Sequence, residues 1–238
     1  MRAQRQRVDR QAAFLLHAYP YSETSLIVEA FSREHGRLAL MARGARRPRS
    51  LLRGVLMAFQ PLELGWFGGG EVKTLAKAEW SGGLPMLRGE GLLLGYYINE
   101  LILKLLPRED AHAQLFSAYA EALRALALAG DPTRELRRFE KILLAELGYG
   151  LTLEQDIHGD PITASVRYHY QIEKGPVPGD DSHGLSLDGK TLLDLAADNY
   201  DDPQTMVEAK LLMRHLLAHY LNGQALQTRR VFIDLQAI

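Results

Sequence analysis

From residue 12 to residue 80 the apolar residues come in short runs broken by turn formers. The runs at 12–19, 24–31, 38–42, 62–67 and 72–77 are strand-like. Tyr19-Pro20-Tyr21 and the glycine-rich stretch 65–70 supply turns between them. In Glu71-Val72-Lys73-Thr74 the period of two predicts that the charges face water and that Val72 and Thr74 face a core. Five short strands suit a small closed barrel, of the OB type or an SH3-like one, and periodicity does not separate the two.

After Pro85 the period changes to that of helices. The apolar stretch 92–106, interrupted by Asn99, Glu100 and Lys104, is too short to span a bilayer and predicts a buried helix. Leu115, Tyr119, Ala122 and Leu126 repeat at helical spacing. Gly130-Asp131-Pro132 then reads as a stop, an N-cap and a proline at the first helical position. The helix that follows places Leu136, Phe139, Leu143 and Leu147 on one face and ends at Gly148. Between 151 and 188 the helical period is lost, and Gly, Pro and Asp gather around one strand-like run, Val166-Arg167-Tyr168-His169-Tyr170. A long irregular insert of this kind is usually functional or mobile. Asp202-Pro203 caps a final long helix with Met206, Ala209, Met213, Leu216 and Tyr220 facing inward. The expected class is α+β: a barrel domain over 1–80 with a basic N-terminal arm, and a helical domain over 81–238 with an irregular insert at 151–188.

Composition narrows the chemistry. With 238 residues the chain is long enough for two modest cores. It has no cysteine, which excludes disulfides, thiolate zinc sites and cysteine nucleophiles and is compatible with a reducing compartment. Arg2, Arg5, Arg7 and Arg10 without an apolar stretch predict a basic arm rather than a signal peptide, and a cytoplasmic protein. The net charge is −1, but it is unevenly spread. Through Trp80 there are 13 basic and 7 acidic residues, and after it 15 and 22. A polyanion is therefore expected to meet the N-terminal part.

The strongest local signal is Arg43-Gly44-Ala45-Arg46-Arg47-Pro48-Arg49-Ser50, extended by Arg53, on a loop leaving a strand. Guanidinium groups pair bidentately with phosphate oxygens and displace counterions. With Arg33, Arg37, Lys73 and Lys77 on neighbouring elements, they would line a groove that tracks a sugar-phosphate backbone. The plain alternative is a solvated charged surface. Of the barrel aromatics Tyr19, Tyr21, Phe31, Phe59, Trp66 and Phe67, Tyr21 and Trp66 stand beside turns and are the base-stacking candidates. Gly68-Gly69-Gly70 lacks the following lysine and helix of a phosphate loop. His215 and His219 share a helix face without a third ligand, and no serine is tied to a histidine. No enzyme, cofactor or metal site is expected. In the acidic half, Arg134, Arg138 and Lys141 share a helix face next to Arg137. They read equally as a clamp for an acidic peptide with a hydrophobic end or as an exposed face partly neutralised by Glu135 and Glu140.

Several segments in order resemble the RecO family of bacterial DNA repair proteins: Pro20-Tyr21-Ser22-Glu23-Thr24-Ser25, Glu34-His35-Gly36-Arg37-Leu38, Ala42-Arg43-Gly44-Ala45-Arg46-Arg47, and Arg138-Phe139-Glu140 leading into Leu147-Gly148-Tyr149. The match runs from about residue 8 to residue 235, and stretches 65–75 and 97–101 look like the gammaproteobacterial and betaproteobacterial branch. The resemblance implies an N-terminal OB-fold, a helical C-terminal domain, binding of single- and double-stranded DNA, and annealing of complementary strands. It further implies partnership with RecR and with the acidic, Phe-ending tail of single-stranded-DNA-binding protein, so that RecA is loaded in the RecF pathway. Arg137 and Arg138 become tail-binding candidates. Many family members carry a four-cysteine zinc module in the region matching 153–161 and the following insert. This cysteine-free chain is expected to be zinc-free there, with the insert held by packing of Tyr168, His169 and Tyr170. An RNA-binding OB module in translation or RNA processing is the alternative.

Overall fold

Each of the five runs becomes a strand because its alternate residues fill one small core. The computed structural model describes residues 7–128, 131–179 and 184–236, with side chains as far as residue 232. Arg2 and Arg5 of the expected arm, the stop at Gly130, and Asp180 and Asp181 lie outside the described residues. The strands are β1 (Arg7–Tyr21), β2 (Ser25–Ser32), β3 (Gly36–Ala42), β4 (Pro61–Phe67), β5 (Val72–Trp80), β6 (Arg167–Gln171), β7 (Gly175–Pro178) and β8 (Ser186–Asp188). The helices are α1 (Leu52–Val55), α2 (Gly89–Leu105), α3 (Ala113–Ala127), α4 (Pro132–Glu146), α5 (Gly189–Ala196), α6 (Pro203–Tyr220) and α7 (Gln227–Gln236). They fall into two compact units, 1–130 with 226–238, and 131–225.

In the first unit β1 to β5 close a barrel in the order β1-β2-β3-β5-β4, with β3 and β5 parallel and the other neighbours antiparallel. This is the OB-type arrangement. Alternation puts Ala13, Leu15, Val28, Ala30, Leu38, Leu40, Leu62, Leu64, Trp66 and Leu75 inside. Each large side chain so buried contributes roughly 1.5–3 kcal/mol. Register shifts at Val8/Gln11 and Leu15/His17 bend the 15-residue β1 so that it pairs with β4 at one end and β2 at the other. Phe14 is buried as well, because α3 covers the outer face: Phe14 meets Phe116 and Tyr119 with ring centroids 5.4 and 5.0 Å apart. Below them the Asn99 amide of α2 donates to the Leu16 carbonyl (2.9 Å) and accepts from the Tyr119 hydroxyl (2.7 Å), which satisfies a buried polar pair.

One strand has the opposite phase to that expected. Leu75 points into the barrel, so alternation brings Lys73 to its side, and Val72 is 41 % exposed. Lys73 is covered by the segment after α2 and pairs with Glu109 at 2.5 Å. That segment also explains Gly36: at φ +62°, a Cβ there would sit 1.8 Å from the Asp110 carbonyl oxygen, so only glycine fits.

In the second unit Asp131 caps α4 by accepting from Thr133 and Arg134 N–H (3.0 and 3.3 Å), and Asp202 caps α6 through Gln204 N–H (2.8 Å). Helix α4 ends where the sequence places its stop. Gly148 takes φ +82°, its N–H bonds the Ala145 carbonyl (3.0 Å), and Tyr149 N–H bonds that of Leu144 (2.8 Å), the paired bonds of a Schellman turn. The inward face of α6 is more polar than expected. Met206 is only half-buried, while Thr205 and Glu208 are buried because they have partners. Glu208 accepts from Asp188 N–H (2.8 Å), the Thr191 hydroxyl (2.6 Å) and the Gln204 amide (2.9 Å), and Thr205 donates to Asp194 (2.6 Å).

The insert holds a three-stranded sheet, β7-β6-β8, where the sequence suggests one strand in irregular chain. Tyr168 and Tyr170 of its central strand are buried, and the Tyr168 hydroxyl accepts from Thr163 N–H at 2.9 Å. Ahead of the sheet, Asp156 is buried and its carboxylate accepts from His158 and Asp160 N–H (2.8 and 3.0 Å), knotting the turn. Among the described residues no group of three or more His, Cys, Asp or Glu is placed to hold a metal, and no helix is long and apolar enough to cross a membrane.

Candidate nucleic-acid interface

Strand β3 runs out at Ala42 into a connection that reaches β4 only at Pro61, with α1 as its one regular element. No acidic residue occurs between Glu34 and Glu63. The connection folds back on the β1–β2 turn. Arg46 N–H donates to the Thr24 carbonyl (2.8 Å), the Arg46 guanidinium to the Ser22 carbonyl (3.0 Å), and Gly44 N–H to the Ser25 hydroxyl (3.4 Å). These bonds hold the backbone of the loop while leaving its charges outside. Arg43, Arg46, Arg47, Arg49 and Arg53 are all exposed, and among the described residues none of the five forms an ion pair.

Tyr21 stands at the same end, 46 % exposed, and Tyr19, two residues back on the same side of β1, is 47 % exposed. By alternation the outer face of β2 and β3 beside them carries Ser25, Ile27 and Met41, all half-buried. The other half of that face is closed. Glu29 is buried between Arg37, at 3.5 Å, and Arg108, and Arg108 bridges to Arg37 along the backbone. The open half of the sheet face, two tyrosines and five arginines therefore share one end of the barrel. In OB folds oligonucleotides bind the face of the second and third strands and the β1–β2 and β4–β5 loops, and the arginine connection is bonded to the first of these loops.

Not every residue singled out from sequence joins this end. Arg33 is exposed in the β2–β3 turn, at the far end of an eight-residue strand, about 23 Å away at the usual rise per residue. Arg37 is committed to Glu29, and burial, together with Arg108 and only partly offset by Glu29, brings its guanidinium below the ordinary value. Lys73 is committed to Glu109. Lys77 is exposed, lies farther along β5 in the direction of the arginine loop, and pairs with Glu79 at 2.8 Å. Trp66 is 1 % exposed inside the barrel with its ring edge-on to His35 (5.2 Å), so no base reaches its face. Its place beside a turn is overruled by its inward phase on β4. Tyr19 joins the site without being among the stacking candidates of the sequence. Its spacing of two from Tyr21 on an extended run is the signal that finds it.

The basic face of α4 is divided in the same way. Arg137 is 6 % exposed and its guanidinium donates to Glu140 at 2.9 Å. Lys141 donates to the Leu195 carbonyl (2.7 Å) and pairs with Asp198 (2.5 Å), while Arg134 reaches Asp201 at 3.4 Å. Arg134 and Arg138 are the exposed members. A peptide can reach those two; Arg137 is held inside the fold.

Comparison with known proteins bears on what this surface serves. Residues 7–84 match the family model described as recombination protein O N terminal, and residues 86–230 that described as recombination protein O C terminal. The chain is 58 % identical to the DNA repair protein RecO of Dechloromonas aromatica, over 98 % of this chain and 99 % of that protein. It is 55 % identical to the protein of the same name from Aromatoleum aromaticum, over 99 % and 100 %, and 49 % identical to that of Nitrosospira multiformis over the full length of both.

Proposed function

The chain belongs to the RecO family of DNA repair and recombination proteins, and on that footing we propose that it is a non-catalytic DNA-binding mediator whose DNA surface is the arginine end of the barrel. The observation that carries this reading is the group of five exposed arginines, without an ion pair among the described residues, on an acid-free loop next to Tyr19, Tyr21 and an open sheet face. Arginines there neutralise phosphates, and the tyrosines stack unpaired bases at roughly 1–3 kcal/mol each. Single strands use both features and duplexes the arginines alone. Annealing of complementary strands follows from charge neutralisation and local concentration, with release of the bases from the tyrosines as they pair. No bond is made or broken by the protein.

The same reading assigns the protein to the cytoplasm and to the RecF pathway, where it cooperates with RecR and helps load RecA onto DNA coated by single-stranded-DNA-binding protein. The acidic, Phe-ending tail of that protein docks on the exposed Arg134 and Arg138 of α4. An annealing assay with two complementary oligonucleotides tests the proposal. Arg46→Ala/Arg47→Ala/Arg49→Ala is expected to slow annealing at least tenfold at a protein concentration that saturates the parent. Undiminished annealing by a folded variant rejects the loop. Stronger competition by matched RNA than by DNA would favour the RNA-binding alternative instead.

A further inference from the structure

One concave feature lies outside the DNA and tail surfaces, at the end of α4 in the second unit. The Schellman turn that stops α4 projects Tyr149, whose ring lies flat on Tyr220 of α6 with centroids 3.9 Å apart and planes 15° apart. These two rings, Tyr170 of β6, Leu216 of α6, the backbone of 148–152 and the β6–β7 turn with Glu173 and Gly175 enclose a groove of about 280 Å³. Its wall depends on Gly175, which takes φ +101° and packs so closely that an added Cβ would stand 3.1 Å from Thr152. The groove is smaller than the roughly 300–1,000 Å³ of sites that hold small molecules whole. It has room for one side-chain head group.

Its chemistry selects the sign of that group. The lining holds three tyrosines and one carboxylate, and no lysine or arginine. Among the described residues the one basic side chain within ion-pair reach of Glu173 is His219, with Nε2 4.0 Å from Oε1. Burial raises Tyr170 to about 12, against the hydrogen bond it shares with the Thr152 backbone, so its ring remains neutral. Burial and then Glu173 also raise Tyr220. Aromatic faces carry the negative part of the ring quadrupole and attract cations, and a carboxylate at the rim adds to that attraction. The unit as a whole repeats the bias: residues 131–225 contain 9 basic and 16 acidic residues. A phosphate or an acidic peptide would meet Glu173 unfavourably, and an aliphatic side chain would leave that charge unused.

We infer that this groove receives an arginine side chain from a segment of a partner protein. Arginine rather than lysine suits it, because a planar guanidinium stacks on a tyrosine face while donating to a carboxylate. The site shares no residue with the arginine end of the barrel or with the exposed arginines of α4, so its failure would leave the DNA proposal standing.

The test uses the full chain carrying ring-labelled tyrosine, titrated by NMR with a blocked Gly-Gly-Arg-Gly-Gly peptide and with the same peptide bearing citrulline, the uncharged isostere. Saturable shifts of Tyr149, Tyr170 and Tyr220 with the arginine peptide, at least tenfold weaker binding of the citrulline peptide, and about tenfold loss in Glu173→Gln are expected. Glu173 is exposed in a turn, and the near-isosteric substitution leaves the fold intact. Equal response to both peptides, an unaffected Glu173→Gln, or shifts confined to other tyrosines would overturn the inference. Sedimentation showing self-association that disappears in Glu173→Gln would make a second copy of this chain the occupant and overturn the assignment to a partner.

Discussion

Arg137 and Arg138 are sequence neighbours with opposite fates, and the difference is one of phase on α4. Arg137 turns inward and its charge is balanced by Glu140, itself fully buried. Arg137→Ala breaks that buried pair by removing its cation, which costs about 3–5 kcal/mol. In urea denaturation the midpoint of Arg137→Ala is expected to fall markedly, whereas Arg138→Ala stays within about 0.5 kcal/mol of the parent. Equal stabilities would show that the buried pair is not formed. A peptide-binding defect in Arg137→Ala therefore reports stability as much as contact, and Arg138→Ala is the informative variant. Tyr19 and Tyr21 allow a second test at this scale. Each Tyr→Ala change is expected to weaken single-stranded DNA binding by roughly 1–3 kcal/mol while leaving duplex binding nearly unchanged. Parallel loss on both substrates would remove stacking from the mechanism.

At the scale of elements, α7 is anchored by a carboxylate from another helix. Glu100 of α2 accepts from Gln227 and Thr228 N–H (2.8 and 2.9 Å) and from the Thr228 hydroxyl (2.7 Å), capping α7 from outside. Burial pushes the Glu100 carboxyl up, but the Thr228 and Gln227 backbone, the Thr228 hydroxyl and Lys104 together bring it below its ordinary 4.5. A carboxylate depressed in the folded state stabilises at pH values above its unfolded value, and that contribution disappears as pH falls through the folded value. Amide protection of α7 is accordingly expected to drop below about pH 4.5 in the parent, and to be low at all pH values in Glu100→Ala. Protection that is independent of pH in the parent would contradict the cap. Nothing in the sequence announces this helix: Leu226 to Gln236 offers little more than three turns and no N-cap of its own, because the cap is 127 residues away. The same limit hid α1, four residues long, and β7 and β8, where Gly-Pro-Val-Pro and a three-residue run carry no usable period. The five barrel strands, α2 to α4 and α6 were legible because each carries its own apolar pattern, and α4 and α6 also carry their own aspartate caps. The arginine loop was legible from charge alone, but the commitment of Arg37 and Lys73 to Glu29 and Glu109 was not, since those partners are fixed by the fold.

For the whole molecule, charge follows the compact units. Residues 1–130 with 226–238 hold 19 basic and 13 acidic residues, against 9 and 16 in 131–225. The positive excess is concentrated on one loop that carries no acid, and the acidic unit holds an aromatic groove lined by one carboxylate and by no lysine or arginine. Such a division steers a polyanion to one unit and basic protein segments to the other. The measurement that decides whether the arginine loop is the DNA surface is equilibrium binding of single-stranded DNA across a salt series, for the parent and for Arg46→Ala/Arg47→Ala/Arg49→Ala. If each arginine holds one phosphate, the slope of log K against log salt becomes shallower by about 2 in the variant, at about 0.7 for every phosphate no longer neutralised. An unchanged slope with unchanged affinity would mean that DNA binds elsewhere on this protein.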